Sequence, residues 1–299
     1  IEKGIPVFST ESDNDEINSI RGRELEYLST LMDNGSSRNY ASFFNYIRKN
    51  IDKKKLFNGA YKEPVIIPSD YFFRVEDDLF FADYEEYQRY YEASGKYKAD
   101  APRIVFLSGN INVQNSNEEH IASIINTLED KGLNVYPIHS FGPKKLQMIK
   151  SISPDIIINN PHGRLVMGGG ESGVELLQEL NVPILSPITV SELYDNWLKS
   201  RQGMESGGMT SMSVVLPELD GAILPFAVAA QFERNDMKIF DAIPKHTDKF
   251  CDIVENFTKL QTTDNSEKKV AIYYYKGTGK GTLSASQLEG VQSLYNTLK

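Results

Sequence analysis

The chain has 299 residues, 40% of them hydrophobic, which is enough for a substantial core and, on length, for about two domains. Its 41 acidic residues outnumber its 32 basic residues, and the resulting net charge of −9 repels phosphate backbones, which argues against nucleic acid as the main partner. One cysteine, four scattered histidines and the lack of any apolar run of about 18 residues exclude a disulfide framework, a cysteine-cluster zinc site and a transmembrane segment.

The N-terminal region, 1–98, is predicted to be mainly helical. Apolar residues recur at helical spacing over 13–31, 37–51 and 83–93. The segment 64–73 (PVIIPSDYFF) is predicted to form a strand and a turn. The polar linker 94–102 (SGKYKADAP) then marks the predicted boundary to a second region.

The second region, 99–262, alternates short apolar strands with helices. The predicted strands are 103–109, 134–140, 155–160 and 182–188. The predicted helices between and after them are 117–132, 143–152, 171–180 and 191–200. This alternation is typical of βαβ units, and strands that are apolar throughout are typical of a sheet covered on both faces. The sequence therefore predicts an α/β fold with a Rossmann-like parallel sheet.

After residue 200 the pattern predicts a β-hairpin, in which strands 212–219 and 222–233 are joined by an Asp-Gly turn, followed by a helix over 248–261. The last part, 263–299, reads as the start of a further α/β unit that is cut short. Its turn 277–282 (GTGKGT) matches neither the Walker A spacing nor GxGxxG, so a tight turn into a helix explains it adequately.

Two glycine-rich loops are candidates for binding a ligand. In 159–172 (NNPHGRLVMGGGES), which follows a predicted parallel strand, three successive glycines permit close approach of a ligand, and His162 could serve as acid, base or metal ligand. A hydrogen-bonded turn histidine, a cap at Ser172 and an acid that complements the helix dipole at Glu171 are the simpler explanations. The glycines are Gly168, Gly169 and Gly170.

The second loop, 201–212, contains Met204 and Met209, whose flexible thioethers suit a wall that adapts to a large apolar ligand. The sequence alone favours a mobile surface loop. The motif LPELDG (216–221) raises a sharper question, because a hairpin turn explains Asp220 but not Glu218, which stands among apolar neighbours. A half-buried carboxylate is costly unless it is paired or used, and its raised pKa would suit a proton acceptor; a structural role for Glu218 stays open at this point.

Three blocks of the sequence resemble the family of the cobaltochelatase subunit CobN and the magnesium-chelatase H subunit. They are DYEEYQRYYEASGKYKADAPRIVFLSGN with EDKGLNVYPI downstream, LNVPILSPITVSELYDNW with MTSMSVVLPELDGAILPFAV, and KKVAIYYYKGTGKGTLSASQLEGVQSLYNTLK. The resemblance covers residues 80–299, and it is most specific at LPELDG and in the third block. At 107–116 the chain has no histidine, so that loop offers no imidazole as a metal ligand.

The resemblance implies a large subunit that binds an open tetrapyrrole and hosts insertion of cobalt into a corrin or magnesium into a porphyrin. It also implies that ATP is hydrolysed on separate AAA+ ATPase-type subunits. It assigns proton removal to Glu218, with His162 as a second base or transient ligand. Because relatives in this family are several times longer, we expect this piece alone to bind the ring weakly and not to insert metal, and we expect a cytoplasmic location.

Two alternatives remain at this stage. The same fold could run the chemistry in reverse and remove iron from haem. A different class is a non-catalytic module whose two Rossmann-like lobes bind a small ligand in the cleft between them. Such a module predicts that replacing Glu218 changes ligand affinity only.

Overall fold

The computed structural model describes residues 4–9, 12, 14, 16–57, 59–108, 119–160, 163–166, 170–204, 208–271 and 295–296. The chain forms two compact units, Ile1–Thr258 and Lys259–Lys299. In the second unit, most of the further α/β unit predicted over 263–299 lies outside the described residues, and 269–271 are not in a strand.

The N-terminal region contains three helical segments near the predicted positions, but the first begins at Arg23, ten residues later than predicted. Helices α1 (Arg23–Asp33) and α2 (Ser37–Tyr46) are followed by a π-helical turn, Ile47–Ile51. Helix α3 (Tyr84–Ala93) begins at Asp83, whose side chain accepts a hydrogen bond from Glu86 N at 2.8 Å. This side-chain cap satisfies one of the free N–H groups of the first turn, which is why the helix begins there.

A single eight-stranded sheet forms the centre of the first unit, in the order β2-β1-β4-β3-β5-β6-β7-β8. Its strands are β1 (Tyr71–Arg74), β2 (Leu79–Phe81), β3 (Arg103–Ser108), β4 (Asn134–His139), β5 (Ile156–Asn160), β6 (Ile184–Leu193), β7 (Ile223–Arg234) and β8 (Met237–Ala242). The five strands from β4 to β7 in this order are parallel, whereas β1, β2 and β8 are antiparallel to their neighbours. The predicted α/β class is thus confirmed.

The remaining helices cover both faces of the sheet. They are α4 (Glu119–Asp130), α5 (Lys144–Ile152), α6 (Gly170–Leu180), α7 (Tyr194–Lys199), the short turns α8 (Gly208–Thr210) and α9 (Leu216–Glu218), and α10 (Pro244–Thr262). One core cluster joins α4 and α10 to one face, and a second joins α3, α5 and α6 to the other. Because side chains alternate along a strand, Phe106 belongs to the first cluster and Leu107 to the second.

A buried ion pair links strand β1 to helix α4. Arg74 in β1 lies 2.6 Å from Glu129 in α4, both side chains being about 5% exposed or less, and the guanidinium lies over the ring of Tyr91 at 4.3 Å.

The three-part division 1–98, 99–262 and 263–299 stays a prediction. The sheet itself, however, contains β1 and β2 from the first of these ranges.

The predicted strand 212–219 is wrong. Residues 208–218 are helical, with Ser211–Val215 forming a π-helical turn between α8 and α9. Pro217 is the second residue of α9, which directly follows the π-helical turn. The hairpin of this region is instead formed by β7 and β8, which pair antiparallel around Asn235 and Asp236.

Candidate functional site

The carboxyl edge of the parallel strands is the region where open α/β sheets generally bind ligands. Strand β4 lies on one side of β3, and the next strand in the chain, β5, lies on the other side, so the strand order reverses at β3. In open α/β sheets, ligands bind in the crevice outside the carboxyl ends of strands at such a switch point. The loop 159–172 that the sequence singled out begins at this edge, at the end of β5.

Four polar side chains form one row across this edge. His139 in β4 is in register with Tyr71 in β1 and with Ser108 in β3, and Ser108 is in register with Asn160 in β5. All four are buried. Each belongs to the first core cluster or stands an even number of residues from a member of that cluster in its own strand, so all four project from the same face of the sheet. The Asn160 carboxamide oxygen accepts a hydrogen bond from the Thr189 hydroxyl at 3.5 Å. We call Tyr71, His139, Ser108 and Asn160 the edge row.

His139 lies between aromatic rings. Its imidazole stacks on Tyr71 with ring centroids 4.9 Å apart and meets Phe141 edge-on at 5.1 Å. Burial lowers the pKa of His139 to about 4; the Lys145 ammonium contributes to the decrease, and the Asp70 carboxylate opposes it. The imidazole is therefore neutral near pH 7 and can accept or donate a hydrogen bond at either nitrogen, depending on its tautomer.

Lys145, in the first turn of α5, is a second buried titratable group at this edge. Burial lowers its pKa to about 8, and Asp70 opposes that decrease. Its ammonium donates a hydrogen bond to the Leu165 carbonyl at 3.0 Å. Asp70 in turn accepts a hydrogen bond from the Ser140 hydroxyl. Lys145 thus ties the beginning of α5 to the loop that follows β5.

The same loop is held from its other side by Asp220. The Arg164 guanidinium donates to Asp220 through Nε at 2.9 Å and through a terminal nitrogen at 2.5 Å, and Leu165 N donates to the second carboxylate oxygen at 2.6 Å. Gly163 N also donates to the Met212 carbonyl at 2.9 Å. The loop after β5 and the motif LPELDG are far apart in the sequence, but these hydrogen bonds hold them together in the fold.

Within LPELDG, Glu218, the acid predicted to be a proton acceptor, is on the surface. Glu218 ends helix α9 with its side chain exposed, whereas the side chain of Asp220 is only 1% exposed. The expectation that Glu218 is half-buried is wrong. The apolar neighbours that suggested burial belong to a short helical segment, and in a helix only one side of the segment faces the core.

The other predicted site residues have different environments. His162, Gly168 and Gly169 lie outside the described residues. Gly170 begins α6, and a Cβ at this position would be 2.1 Å from a guanidinium nitrogen of Arg164. The glycine therefore leaves room for the Arg164 guanidinium in the position where it pairs with Asp220. Glu171 is exposed in the first turn of α6, where an acid complements the helix dipole.

The two methionines are half-buried. Met204 packs against the small cluster of Ile188, Val190, Ala230 and Ile243, beside Tyr194 and Trp197. Met209 lies in α8. Met204 thus fills core space in this structure, and its role as part of an adaptable ligand wall stays a prediction.

Sequence reasoning missed His139, Lys145, Asn160 and Arg164. A usable signal was present: Asn159 and Asn160 end an otherwise apolar strand, and His139 ends another. Polar residues at the carboxyl ends of buried parallel strands are candidates for ligand contact.

Among the described residues, no three His, Cys, Asp or Glu side chains are grouped closely enough to hold a metal ion, and no helix is both long and apolar enough to cross a bilayer.

Known proteins similar to this chain include chelatase subunits. The magnesium-chelatase subunit ChlH of Oryza sativa is 25% identical over 260 residues, which cover 80% of this chain and 18% of ChlH. The aerobic cobaltochelatase subunit CobN of Sinorhizobium sp is 26% identical over 174 residues, 54% of this chain and 14% of CobN. An uncharacterized protein of Methanocaldococcus jannaschii, MJ0908, is 30% identical over 133 residues, 42% of this chain and 11% of that protein. The chain thus spans less than a fifth of the length of these relatives.

A solved structure has the same fold. The catalytic subunit of cobaltochelatase from Mycobacterium tuberculosis superposes with a TM-score of 0.60 at 15% identity, over 84% of this chain and 21% of that one. A sequence model of the family described as CobN/Magnesium Chelatase matches residues 27–299, which is nearly the whole chain. On this match the chain belongs to the CobN/Magnesium Chelatase family.

Proposed function

We propose that this chain is part of the tetrapyrrole-binding large subunit of a metal chelatase, which inserts cobalt or magnesium into a corrin or porphyrin ring. ATP would be hydrolysed on separate AAA+ ATPase-type subunits, and the location would be cytoplasmic. The family match over residues 27–299 supports the reaction class, together with the similarity to a magnesium-chelatase and a cobaltochelatase subunit.

One structural observation carries the proposal for the site. The Arg164–Asp220 ion pair fixes LPELDG against the loop after β5, and that loop begins at the carboxyl edge where α/β folds bind ligands. Glu218, two residues before Asp220, is held on an exposed turn of a segment that Asp220 anchors. A carboxylate in this position is open to a flat ring that approaches from solvent.

The chemistry gives this carboxylate a role. Two pyrrole N–H protons must leave the ring when a divalent metal enters, so a base beside the ring accelerates insertion. We assign proton acceptance to Glu218 and a second base or transient metal-ligand role to His162. Gly168, Gly169, Gly170 and Glu171 would line the ring on the side of the loop, and Met204 and Met209 would cover part of its face.

A matched pair of variants tests the proposal. Glu218→Gln removes the base while keeping its shape, and Glu175→Gln makes the same change at an exposed position in α6. In the full-length protein with its ATPase subunits, we expect Glu218→Gln to slow metal insertion by about 100-fold, the usual size of a lost general base, and Glu175→Gln to leave it unchanged. Insertion is followed by the change in porphyrin or corrin absorbance with cobalt and with magnesium.

The alternatives give different results in the same assay. If Glu218→Gln alters only the affinity for the ring, the chain is a binding module and the assigned base is wrong. If the protein releases iron from haem and inserts neither cobalt nor magnesium, the reaction runs in the opposite direction. If no tetrapyrrole changes its absorbance spectrum on addition of the protein, the proposed function is wrong.

A further inference from the structure

Two side chains of the edge row are buried with a polar nitrogen that has no hydrogen-bond partner among the described residues. They are His139, through Nδ1, and Asn160, through its amide nitrogen. His139 is 6% exposed and Asn160 2% exposed. Buried polar groups in folded proteins are nearly always hydrogen-bonded, so two such nitrogens on one edge call for a physical explanation.

The two nitrogens lie on the same face of the sheet, which the strand register establishes. Ser108 pairs with His139 on one side and with Asn160 on the other, so the two residues are separated by two strand spacings, or roughly 10 Å. A single phosphate or carboxylate is too small to reach both. One molecule that satisfies both nitrogens must extend across three strands.

The polar groups of the row favour a hydrogen-bond acceptor, such as a carboxylate oxygen, on that molecule. The amide nitrogen of Asn160 can only donate, and its carboxamide oxygen already accepts from Thr189. The Lys145 ammonium is close enough to His139 to influence its protonation, and the nearby Asp70 carboxylate is already hydrogen-bonded to Ser69 and Ser140.

We propose that the edge row is a binding site for the peripheral carboxylate groups of the tetrapyrrole, with Asn160 donating to a carboxylate oxygen and His139 donating through Nδ1 to a second acceptor of the same ligand. This inference rests on the proposed function, because it takes a tetrapyrrole as the ligand. It assigns the row a task separate from that of Glu218: the row orients the ring by its rim, whereas Glu218 accepts protons at its centre.

The test compares protoporphyrin IX with its dimethyl ester, which keeps the ring and removes the charge of both carboxylates. Binding to the full-length protein is measured by quenching of its intrinsic fluorescence. We expect the wild type to bind the diacid at least about ten-fold more tightly than the ester, which corresponds to one charge-assisted hydrogen bond. Glu218→Gln should leave this ratio unchanged.

Asn160→Asp is the informative variant, because it replaces the donor by a negative group of the same shape. It should lower the affinity for the diacid by at least about ten-fold and leave the affinity for the ester nearly unchanged. The control is Asn159→Asp, since Asn159 is 5% exposed and equally without a partner at its amide nitrogen but projects to the opposite face. Asn160→Leu, which removes the donor without adding charge, serves if Asn160→Asp does not fold, as judged by circular dichroism.

The outcomes separate the two proposals. If the diacid and the ester bind equally well and neither Asn160 variant changes their ratio, the edge row does not bind carboxylates, while the proposed function stands. If Asn159→Asp has the same effect as Asn160→Asp, the assignment to this face is overturned. If no tetrapyrrole, neither porphyrin nor corrin, binds the wild type, both proposals fail together.

Discussion

Asp220 and Glu218 show how two acids in one short motif can have opposite environments. Asp220 accepts three hydrogen bonds, two from Arg164 and one from Leu165 N, and is almost completely buried. Glu218 is exposed. From the sequence, the turn-forming Asp-Gly pair explained Asp220 and left Glu218 as the unexplained residue. The structure gives Asp220 the larger structural role, since it holds the loop after β5.

Replacing Asp220 should therefore destabilise the first unit. In Asp220→Asn, the Arg164 charge loses its partner; because 27% of the Arg164 side chain is exposed, water recovers part of the loss. We expect the free energy of unfolding to fall by about 2–3 kcal/mol, somewhat below the usual cost of breaking a fully buried pair. Urea unfolding followed by circular dichroism measures it.

The matched control for this change is Glu218→Gln, which alters the same kind of group two residues away. Because Glu218 is exposed, its replacement should change the free energy of unfolding by less than about 0.5 kcal/mol. Equal effects of the two substitutions would contradict the assignment of the structural role to Asp220.

At the scale of elements, the sequence predicted the repeating part of the fold well. The helices and strands from β3 to α6 begin and end within about two residues of their predicted bounds. Short apolar strands alternate there with amphipathic helices, and this pattern is compatible with few other assignments of secondary structure. The segment 208–218 could not be predicted in this way. Its apolar run fits a buried strand or a helix equally well, and only tertiary contacts such as Gly163 N to the Met212 carbonyl decide.

The candidate site was predictable in place but not in its residues. The carboxyl end of β5 follows from the βαβ pattern alone. His139 and Asn160, however, belong to one row only because β4 and β5 lie on either side of β3, and a sequence does not reveal that strand order. The hairpin was misplaced for a related reason: an Asp-Gly pair is the stronger turn signal, but the turn between β7 and β8 uses Asn235 and Asp236.

That turn offers a test at the scale of a single element. Asn235 and Asp236 have φ angles of 51° and 62°, the left-handed conformation that both central residues of a type I′ turn adopt. Asn-Gly is the preferred pair for this turn, so Asp236→Gly should raise the free energy of unfolding by about 0.5 kcal/mol. Asp236→Val should lower it, because a β-branched residue fits this conformation poorly. Thermal unfolding of both variants measures the difference; the same sign for both would contradict the turn assignment.

For the whole molecule, two histidines couple folding to pH. His120, in the first turn of α4, is 1% exposed, and neither of its ring nitrogens has a hydrogen-bond partner among the described residues. Burial lowers its pKa to about 4, with Asp241 opposing the decrease. Burial likewise lowers the pKa of His139 to about 4. Both side chains are therefore neutral in the folded protein over a range in which they are protonated in the unfolded chain.

Stability should accordingly decrease on acidification between pH 6.5 and pH 4. In this window the unfolded chain binds more protons than the folded protein, so the free energy of unfolding rises with pH. With an unfolded pKa of 6.5 and a folded pKa of about 4, each histidine should cost about 2 kcal/mol between pH 7 and pH 5. Urea unfolding at the two pH values measures the total, and His120→Gln, which cannot be protonated in this range, should remove about half of the contribution from these two groups. An unchanged difference between pH 7 and pH 5 in this variant would show that His120 does not carry the coupling, whatever the variant does to stability at pH 7.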